Sequence, residues 1–312
     1  MSMTHINTAS FSEVSRVGDV SQRLALGTVQ FGLNYGVANT AGQIDAAEAP
    51  NILRIARLSG MDTLDTAIAY GDSEAALGSQ GVDSWKVVTK LPAIPSECQS
   101  DAQVHRWVQE QVRGSLMRLG LERVHGVLLH RPEQLLGEQG QALSRALQGL
   151  KDQGLAAKTG ISIYHPQELD VLAHAFEPDL VQAPLNILDQ SLIYSGWAER
   201  LKAKGVEIHV RSTFLQGLLL MKPSERPAKF HRWHSIWQQW ELWLEKNGLT
   251  PLQACLRYSL AVAQVDKVLV GVDNSAQLNT ILSAAQGPLP PLPEWIMSVD
   301  ADLVNPAKWS QL

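Results

Sequence analysis

The sequence predicts a single-domain α/β protein folded as a closed (β/α)8 barrel. Short apolar runs alternate with longer amphipathic segments along most of the 312 residues, and this rhythm is typical of strands that alternate with helices. Several of the short runs are continuously apolar, as parallel strands are when both faces of their sheet are buried. The chain length also lies within the range of one such barrel.

Eight segments are predicted as strands: residues 23–32, 61–67, 85–91, 124–130, 156–164, 179–186, 206–212 and 266–272. The predicted helices are residues 45–60, 73–81, 101–120, 140–154, 166–176, 195–205, 229–247, 250–262 and 274–286. Their ends carry recognisable signals: Gly120 ends one helix, while Thr250 and Pro251 begin another as N-cap and first residue. The order of elements therefore favours the barrel.

An open doubly wound sheet is the alternative fold. That fold commonly carries a phosphate-binding loop, but no GxGxxG follows the first predicted strand and no GxxxxGK occurs in the chain. No second domain is predicted. Residues 1–22 are polar and are interpreted as a poorly ordered or loosely packed tail, and residues 23–312 as the barrel.

Composition narrows the class of protein. The net charge is −5 and no basic block occurs, which argues against a nucleic-acid partner. No run approaches the roughly 18 apolar residues of a membrane span, and the first residues do not resemble an export signal. Cys98 and Cys255 lie too far apart in sequence to suggest a disulfide framework. We therefore expect a cytoplasmic protein that binds neither nucleic acid nor membrane, while its oligomeric state cannot be deduced.

Polar residues stand where three consecutive strand units end, which is where a barrel of this kind places its chemistry. Asp65 ends the second strand, with Tyr70 in the following loop. Lys90 ends the third strand and His130 the fourth. Each has an ordinary interpretation alone, since a strand-end Asp is usually a turn residue and a lone His is usually a satisfied core residue. Four such residues on one rim favour a catalytic site.

Their chemistry is complementary. A tyrosine hydroxyl with a pKa near 10 is a weak acid at neutral pH, and a nearby lysine ammonium is expected to lower that pKa. A carboxylate bonded to the lysine would hold it in place. A histidine could donate a hydrogen bond to a substrate carbonyl oxygen. Together these groups suit protonation of an oxygen that becomes an alkoxide as hydride arrives.

Eight pieces of the sequence resemble the aldo-keto reductases, in the family's order and across roughly residues 23 to 285: LALGTVQFG, LDTAIAYG, VVTKL, VLLHRP, GISIYHPQEL, VQAPLN, VRSTFLQGLL and VGVDNSAQL. The resemblance implies a barrel with a nicotinamide cofactor, NADP(H) or NAD(H), laid across its carboxyl rim and no metal. It implies Tyr70 as general acid for reduction of a small aldehyde or ketone. Lys90 and Asp65 would tune Tyr70, and His130 would orient the carbonyl.

The resemblance also implies a set of cofactor-binding residues: Gly27, Thr28, Ser162, Gln182, Arg211, Ser212, Leu215, Gly217, Gly271, Asp273, Asn274 and Gln277. Two positions depart from the family pattern. Ile163 stands where members often have an asparagine that helps hold the nicotinamide amide. Arg211 stands where members often stack an aromatic ring on the nicotinamide. A guanidinium plane could stack there or pair with phosphate.

The segment GVDNSAQL concerns the adenosine end of the cofactor. Asn274 or Ser275 is the N-cap of the last helix, whose free N–H groups suit a phosphate, although an N-cap is ordinary by itself. Family members commonly supply Lys or Arg here for the 2′-phosphate of NADP, and this segment has none. Asp273 would repel that phosphate and could accept from a ribose hydroxyl. We therefore expect a weakened NADP preference and possible use of NAD.

Three functions remain open. The leading one is an NAD(P)-dependent carbonyl reductase. The second is a cofactor-binding regulatory or redox-sensing barrel with little turnover. The third is a lyase or isomerase that uses Lys90 as a Schiff-base amine. Tyr35 lies in a rim loop and could touch substrate, whose identity cannot be read from the sequence.

The segment from residue 231 to 248 holds four tryptophans at helical spacing, Trp233, Trp237, Trp240 and Trp243. A core or lid seam is the favoured interpretation, and a substrate-facing or dimer-facing surface the alternative. Two histidines accompany them, but no carboxylate or cysteine completes a metal-binding set.

Overall fold

A computed structural model of the chain describes residues 17–36 and 42–312. Eight parallel strands close into a barrel in sequence order, each strand pairing with the next and β8 pairing with β1. The predicted (β/α)8 barrel is thereby confirmed. The open-sheet alternative is wrong, because Leu24 of the first strand is in register with Val268 of the last.

The strands are β1 (Leu24–Gly27), β2 (Thr63–Asp65), β3 (Lys86–Leu91), β4 (Val124–Leu129), β5 (Ala156–Ser162), β6 (Leu180–Pro184), β7 (Glu207–Arg211) and β8 (Lys267–Gly271). The α-helices are α1 (Val17–Gln22), α2 (Ala49–Leu58), α3 (Ser73–Gly78), α4 (Asp101–Leu119), α5 (Gly140–Asp152), α6 (Leu169–Ala175), α7 (Ser191–Tyr194), α8 (Trp197–Ala203), α9 (His234–Asn247), α10 (Pro251–Ala261), α11 (Ser275–Ala284) and α12 (Ala301–Val304). Short 3-10 turns link them at Val29–Phe31, Pro132–Leu136, Pro166–Glu168, Leu215–Leu220, Pro223–Glu225, Ala228–Trp233, Glu294–Ile296 and Pro306–Gln311.

The structure differs in detail from the prediction in two segments. The predicted tail, residues 1–22, contains helix α1 in its last third, and residues 1–16 lie outside the described residues. The predicted 229–247 helix begins as a 3-10 turn and becomes α-helical at His234. All four of its tryptophans are buried, as the core interpretation expects.

The barrel interior is apolar at mid-height and polar at the carboxyl end. Val88, Leu128 and Leu180 form a fully buried cluster inside the barrel. Lys90 lies two residues after Val88 on β3, so alternation along the strand points it to the same interior side. Lys90 therefore lies directly above this apolar cluster, at the rim where the catalytic residues are predicted.

Glu207 anchors a charged cluster at the opposite end of the barrel, where β7 begins. Its carboxylate accepts hydrogen bonds from His125 at 3.0 Å and from His209 at 2.7 Å, and it pairs with Lys158. Burial raises the pKa of this carboxyl, but the three donors outweigh burial and hold the pKa well below its usual range. Glu207 is therefore ionised in the folded protein.

We expect the free energy of unfolding of Glu207→Gln to depend less on pH in the acid range than that of wild type. A depressed folded pKa contributes stability above the unfolded value of about 4.3, and that stability is lost as pH falls toward the folded pKa. The variant should lose about 1–3 kcal/mol at neutral pH, since charged hydrogen bonds are lost. Urea unfolding across pH measures this, with the exposed Glu133→Gln as control. A Glu207→Gln curve parallel to wild type down to about pH 3 would contradict the assignment.

No helix among the described residues is long and apolar enough to cross a membrane.

Candidate active site

A buried ion pair forms the base of the site. Lys90 Nζ lies 2.6 Å from Asp65 Oδ1, and the two side chains are only 1% and 5% exposed. Lys90 also donates to the Thr66 carbonyl at 2.9 Å. The order of strands β2 and β3 thus brings together two residues that are 25 positions apart in sequence.

Asp65 is held from its other side by the amide of Gln182, which donates from Nε2 to Oδ2 at 2.7 Å. Gln182 in turn accepts from the Ser162 hydroxyl at 3.2 Å through Oε1. Ser162 and Gln182 were predicted as cofactor contacts. The structure links both to the buried ion pair, so one hydrogen-bonded chain runs from β5 to Lys90 across the barrel interior.

Tyr70 is placed by a tight packing of two loops. A Cβ on Gly32, in the loop after β1, would lie 1.9 Å from the Tyr70 carbonyl oxygen. Gly71, the next residue in the turn, has φ +54°, and a Cβ there would lie 2.6 Å from the Gly32 carbonyl. Only residues without a side chain permit this approach. Bulkier residues at these two positions would displace the Tyr70 turn.

The four predicted catalytic residues converge. Lys90 Nζ lies 5.2 Å from the centre of the Tyr70 ring. The rings of Tyr70 and His130 meet edge to face, with centroids 5.9 Å apart and planes at 77°. Tyr70 and His130 are half-buried at the rim, above the fully buried ion pair.

The pKa of Tyr70 is raised overall and is not lowered as expected. Burial raises the pKa of the Tyr70 hydroxyl above its ordinary value, the Asp65 carboxylate adds to the rise, and Arg211 opposes it. Burial also lowers the pKa of Lys90 while Asp65 supports its charge. Tyr70 is accordingly a protonated phenol at neutral pH, which is the form that a proton donor requires.

His130 is held neutral. Burial and, to a smaller extent, the positive charge of Lys90 together lower the pKa of its imidazole from 6.5 to about 4, against the opposing effect of Asp65. A neutral imidazole has one N–H donor and one acceptor nitrogen. At physiological pH His130 can therefore donate a hydrogen bond without carrying charge.

We expect the kcat/KM of any turnover that uses Tyr70 and His130 to show no inflection near pH 6.5. Tyr70 stays protonated and His130 stays neutral throughout the neutral range, so the rate should begin to fall only as pH approaches about 4. Rate profiles together with an NMR titration of the His130 imidazole measure this. An inflection between about pH 6 and 7 that disappears in His130→Gln would show that His130 titrates normally.

A cavity of about 430 Å³ opens above these residues and extends across the rim to α11. Most of the predicted site residues line it: Gly27, Thr28, Tyr35, Asp65, Tyr70, Gln182, Arg211, Ser212, Gly217, Gly271, Asp273 and Gln277. Five do not: Ser162, Asn274, Leu215, Lys90 and His130. Ser162 lies beneath Gln182, and Lys90 lies beneath Asp65. Leu215 is fully buried in the core. His130 meets Tyr70 from the side.

Sequence reasoning missed several lining residues, among them Gln30, Phe214, Gln216, Leu252, Thr280 and Ile281. Gln30, Phe214 and Gln216 lie within GTVQFG and STFLQG, close to residues that were predicted to bind cofactor, so these two motifs could have indicated them. Leu252, Thr280 and Ile281 lie on helices, and they reach the cavity only through the packing of α10 and α11. No local pattern marks them.

The segment after β7 is strained where it borders the cavity. Ser212, Leu215 and Gln216 have φ of 64°, 49° and 52°, a region that non-glycine residues rarely adopt. The Asn186 amide donates to the Ser212 carbonyl at 3.2 Å and the Gln216 amide donates to the Tyr35 hydroxyl at 3.4 Å. Strain of this kind clusters at functional sites.

Acids surround the far end of the cavity, at the start of α11. Asn274 caps this helix by accepting from the Gln277 N–H at 2.9 Å. Glu48 accepts from the Ser275 N–H at 2.7 Å, and its pKa is lowered by hydrogen bonds from Ser275. A carboxylate from α2's N-terminus therefore already occupies a helix start that could otherwise bind phosphate. Asp273 lies beside it in the cavity wall.

The cavity wall contains buried acceptor atoms that suit the donors of a bound dinucleotide. Gln30 Oε1 and Asp273 Oδ1 are buried and have no hydrogen-bond partner within the described part of the chain, and both residues line the cavity. Buried polar atoms are normally satisfied, so unpaired acceptors in a cavity wall suit the hydroxyl or amide donors of a bound ligand. Among the residues described, no group of three or more His, Cys, Asp or Glu could hold a metal ion.

The fold and site define a (β/α)8 barrel with a Tyr, Lys, Asp and His group at its carboxyl rim. The model of the aldo/keto reductase family matches residues 23–292, and the chain belongs to that family. The predicted family resemblance is confirmed. Members of the family generally reduce carbonyl groups with NAD(P)H.

Individual proteins are also similar to this chain. An aldo-keto reductase of Mycolicibacterium vanbaalenii is 30% identical over 234 residues, covering 72% of this chain and 74% of that protein. A probable voltage-gated potassium channel subunit beta of Oryza sativa is 26% identical and covers 73% and 76%. A glycerol dehydrogenase of Gluconobacter oxydans has a similar solved structure, with a TM-score of 0.65, 20% identity, and 86% and 88% of the two chains covered. That last likeness concerns the fold.

Proposed function

We propose that this protein is an NAD(P)H-dependent reductase that converts an aldehyde or ketone to an alcohol, with Tyr70 as general acid. One observation carries the proposal: the buried Lys90–Asp65 ion pair lies directly beneath the ring of a protonated tyrosine in the cavity wall. Lysines are almost never fully buried without a purpose-built partner. A cation beside a phenol is suited to stabilising the phenolate that remains after proton transfer.

A bound reduced nicotinamide would supply the hydride for the carbonyl carbon. Gln182 would hold it near Tyr70, while Gly271, Asp273 and Gln277 would bind its adenosine end. The Tyr70 hydroxyl donates its proton to the carbonyl oxygen as negative charge develops there. His130 donates its N–H to the same oxygen and so orients the carbonyl.

Asp65 acts through Lys90. Its carboxylate fixes the ammonium at 2.6 Å and is itself fixed by Gln182, so Lys90 cannot turn away when Tyr70 loses its proton. After the alcohol leaves, solvent returns a proton to Tyr70. Tyr70 is protonated before a carbonyl binds, so it can donate its proton to the substrate oxygen.

The assay that tests the proposal follows the absorbance of NADH and NADPH with a panel of aldehydes and ketones. We expect turnover that depends on both carbonyl and cofactor. A protein that binds cofactor tightly yet consumes none with any carbonyl would instead support a regulatory barrel. The similarity to a protein named as a channel beta subunit keeps that second function in view.

A Schiff-base lyase or isomerase is the weaker candidate. Lys90 is 1% exposed, and its ammonium donates to Asp65 and Thr66, so a substrate carbonyl has no path to the amine. Borohydride with a candidate carbonyl substrate should leave Lys90 unmodified.

We expect NADH to bind at least as well as NADPH. Asp273 and Glu48 place two carboxylates at the start of α11, where they repel a 2′-phosphate, and Asp273 has a free acceptor for a ribose hydroxyl. Dissociation constants for both cofactors measure the preference. Glu48→Gln combined with Asp273→Asn should shift it about tenfold or more toward NADPH, whereas Asp83→Asn, an exposed acid elsewhere, should not. A hundredfold NADPH preference in the wild type would overturn the prediction.

A further inference from the structure

We propose that Arg211 is a substrate-recognition residue, and that the carbonyl compound reduced here carries a carboxylate that pairs with its guanidinium. The inference rests on the proposed carbonyl reductase function and names the substrate class of that site. It is carried by a pre-positioned cation in the wall of the catalytic cavity that has no salt-bridge partner among the residues the structure describes.

Arg211 is the one Lys or Arg among the described residues that line the cavity. It has no carboxylate within salt-bridge distance in the part of the chain that the structure describes. The cavity acid nearest Tyr70, Asp65, is committed to Lys90 and Gln182, and Asp273 lies at the start of α11. Asp189 interacts with Arg211 only at longer range, since its Oδ1 accepts from the Ser191 N–H and hydroxyl.

A half-buried guanidinium without a counter-ion costs free energy unless other contacts or a ligand compensate it. The contacts present here orient Arg211 without neutralising it. Nη2 donates to the Ile163 carbonyl at 2.9 Å and Nη1 donates to the Ser212 hydroxyl at 3.2 Å. The guanidinium also lies 4.8 Å from the centre of the Tyr164 ring. All three partners are uncharged.

The backbone contributes to this placement. Ser212, the residue after Arg211, has φ of 64°, and its carbonyl is held by Asn186. A strained residue fixed by a buried amide makes the end of β7 rigid, so the direction of the Arg211 side chain is set before any ligand binds. A guanidinium has five N–H donors and the described contacts use two, which leaves three for a ligand.

The position of Arg211 selects the substrate over the cofactor phosphates as its anionic partner. The Ile163 carbonyl that it contacts directly follows Ser162, which is linked through Gln182 to Asp65 beneath Tyr70, so Arg211 stands at the end of the cavity where the carbonyl is reduced. The α11 end of the cavity is the one lined by Asp273 and Gln277. A guanidinium fork binds a carboxylate through two parallel hydrogen bonds, which gives both affinity and orientation.

Matched pairs of aldehydes test this inference. We would measure kcat/KM for 4-oxobutanoate, 3-carboxybenzaldehyde and 4-carboxybenzaldehyde, each against its methyl ester, which has the same reacting group without the charge. For wild type we expect at least one acid to exceed its ester by tenfold or more. Arg211→Met should reduce that ratio to near one, mainly through KM, and Arg211→Lys should restore part of it.

Arg200→Met is the control, because Arg200 also stacks on an aromatic ring, that of Trp197, at 5.1 Å but lies outside the cavity. The ratio should be unaffected by that change. If wild type reduces esters and acids equally, the inference is wrong while the proposed reductase function stands. If Arg211→Met slows both members of each pair alike and raises the Kd of the cofactor, Arg211 binds cofactor phosphate or ring and the inference is also wrong. If no carbonyl compound is reduced at all, the reductase function fails and the inference falls with it.

Discussion

Tyr70→Phe is expected to lower kcat/KM for carbonyl reduction by about 10²–10⁴-fold, the usual contribution of a positioned general acid. The change removes one hydroxyl and keeps the ring that packs against His130 and faces Lys90. Cofactor affinity should therefore change little. Steady-state rates with an aldehyde, together with cofactor Kd from fluorescence quenching, separate the two quantities.

The control is Tyr258→Phe, which removes a hydroxyl from another buried tyrosine whose pKa burial also raises. Tyr258 lies on α10, outside the residues that line the cavity, so this variant should keep wild-type turnover. Retention of activity by Tyr70→Phe, or equal loss in both variants, would remove Tyr70 from the role of acid.

Lys90→Met should cost both stability and catalysis. Removing the lysine leaves Asp65 as a buried carboxylate whose only described side-chain donor is Gln182, and breaking a buried ion pair typically costs about 3–5 kcal/mol. Turnover should fall as well, because the phenolate of Tyr70 loses its neighbouring cation. Chemical unfolding and steady-state kinetics measure the two losses.

The double variant Lys90→Met with Asp65→Asn distinguishes these effects. It removes the stranded charge, so we expect it to recover much of the lost free energy of unfolding while turnover stays low. Lys86→Met provides the control on the same strand, since Lys86 is 53% exposed in its ion pair with Asp62 and should cost about 0–1 kcal/mol. A Lys90→Met loss no larger than that of Lys86→Met would contradict the account of the buried pair.

The barrel was predictable because each of its strands leaves a local signature. VVTKL ends an apolar strand with a lysine, and VLLHRP does the same with a histidine, so strand ends and polar residues coincide in the sequence. Parallel strands in a closed barrel bring such ends to one rim. The convergence of Asp65, Tyr70, Lys90 and His130 followed from that rule.

The electrostatics of the site could not be read in the same way. Whether the pKa of Tyr70 rises or falls depends on how deeply the ring is buried and on which charge lies nearer, and sequence spacing fixes neither. Gln182 reaches Asp65 across 117 residues because β6 and β2 lie on opposite sides of a closed barrel. Glu48 meets Ser275 across 227 residues, and a helix start with an ordinary N-cap gives no sign of this second acid.

The sequence shows that Ile163 and Arg211 depart from the family pattern, but it does not show what these two residues contact. Ile163 departs from the family pattern, and in the structure its side chain is fully buried while its backbone carbonyl holds Arg211. The two departures are thus in contact through that carbonyl. Only the contacts around Arg211 show that its guanidinium is oriented by neutral groups.

Transfer of deuterium from the cofactor to the product tests the central claim most directly. With NADH or NADPH labelled at the transferable position of the nicotinamide, carbonyl reduction should place deuterium on the carbinol carbon of the alcohol. The hydroxyl proton should come from water by way of Tyr70, and Tyr70→Phe should greatly slow the appearance of label. An alcohol that forms without label, or label that appears equally fast in Tyr70→Phe, would contradict the proposed reduction.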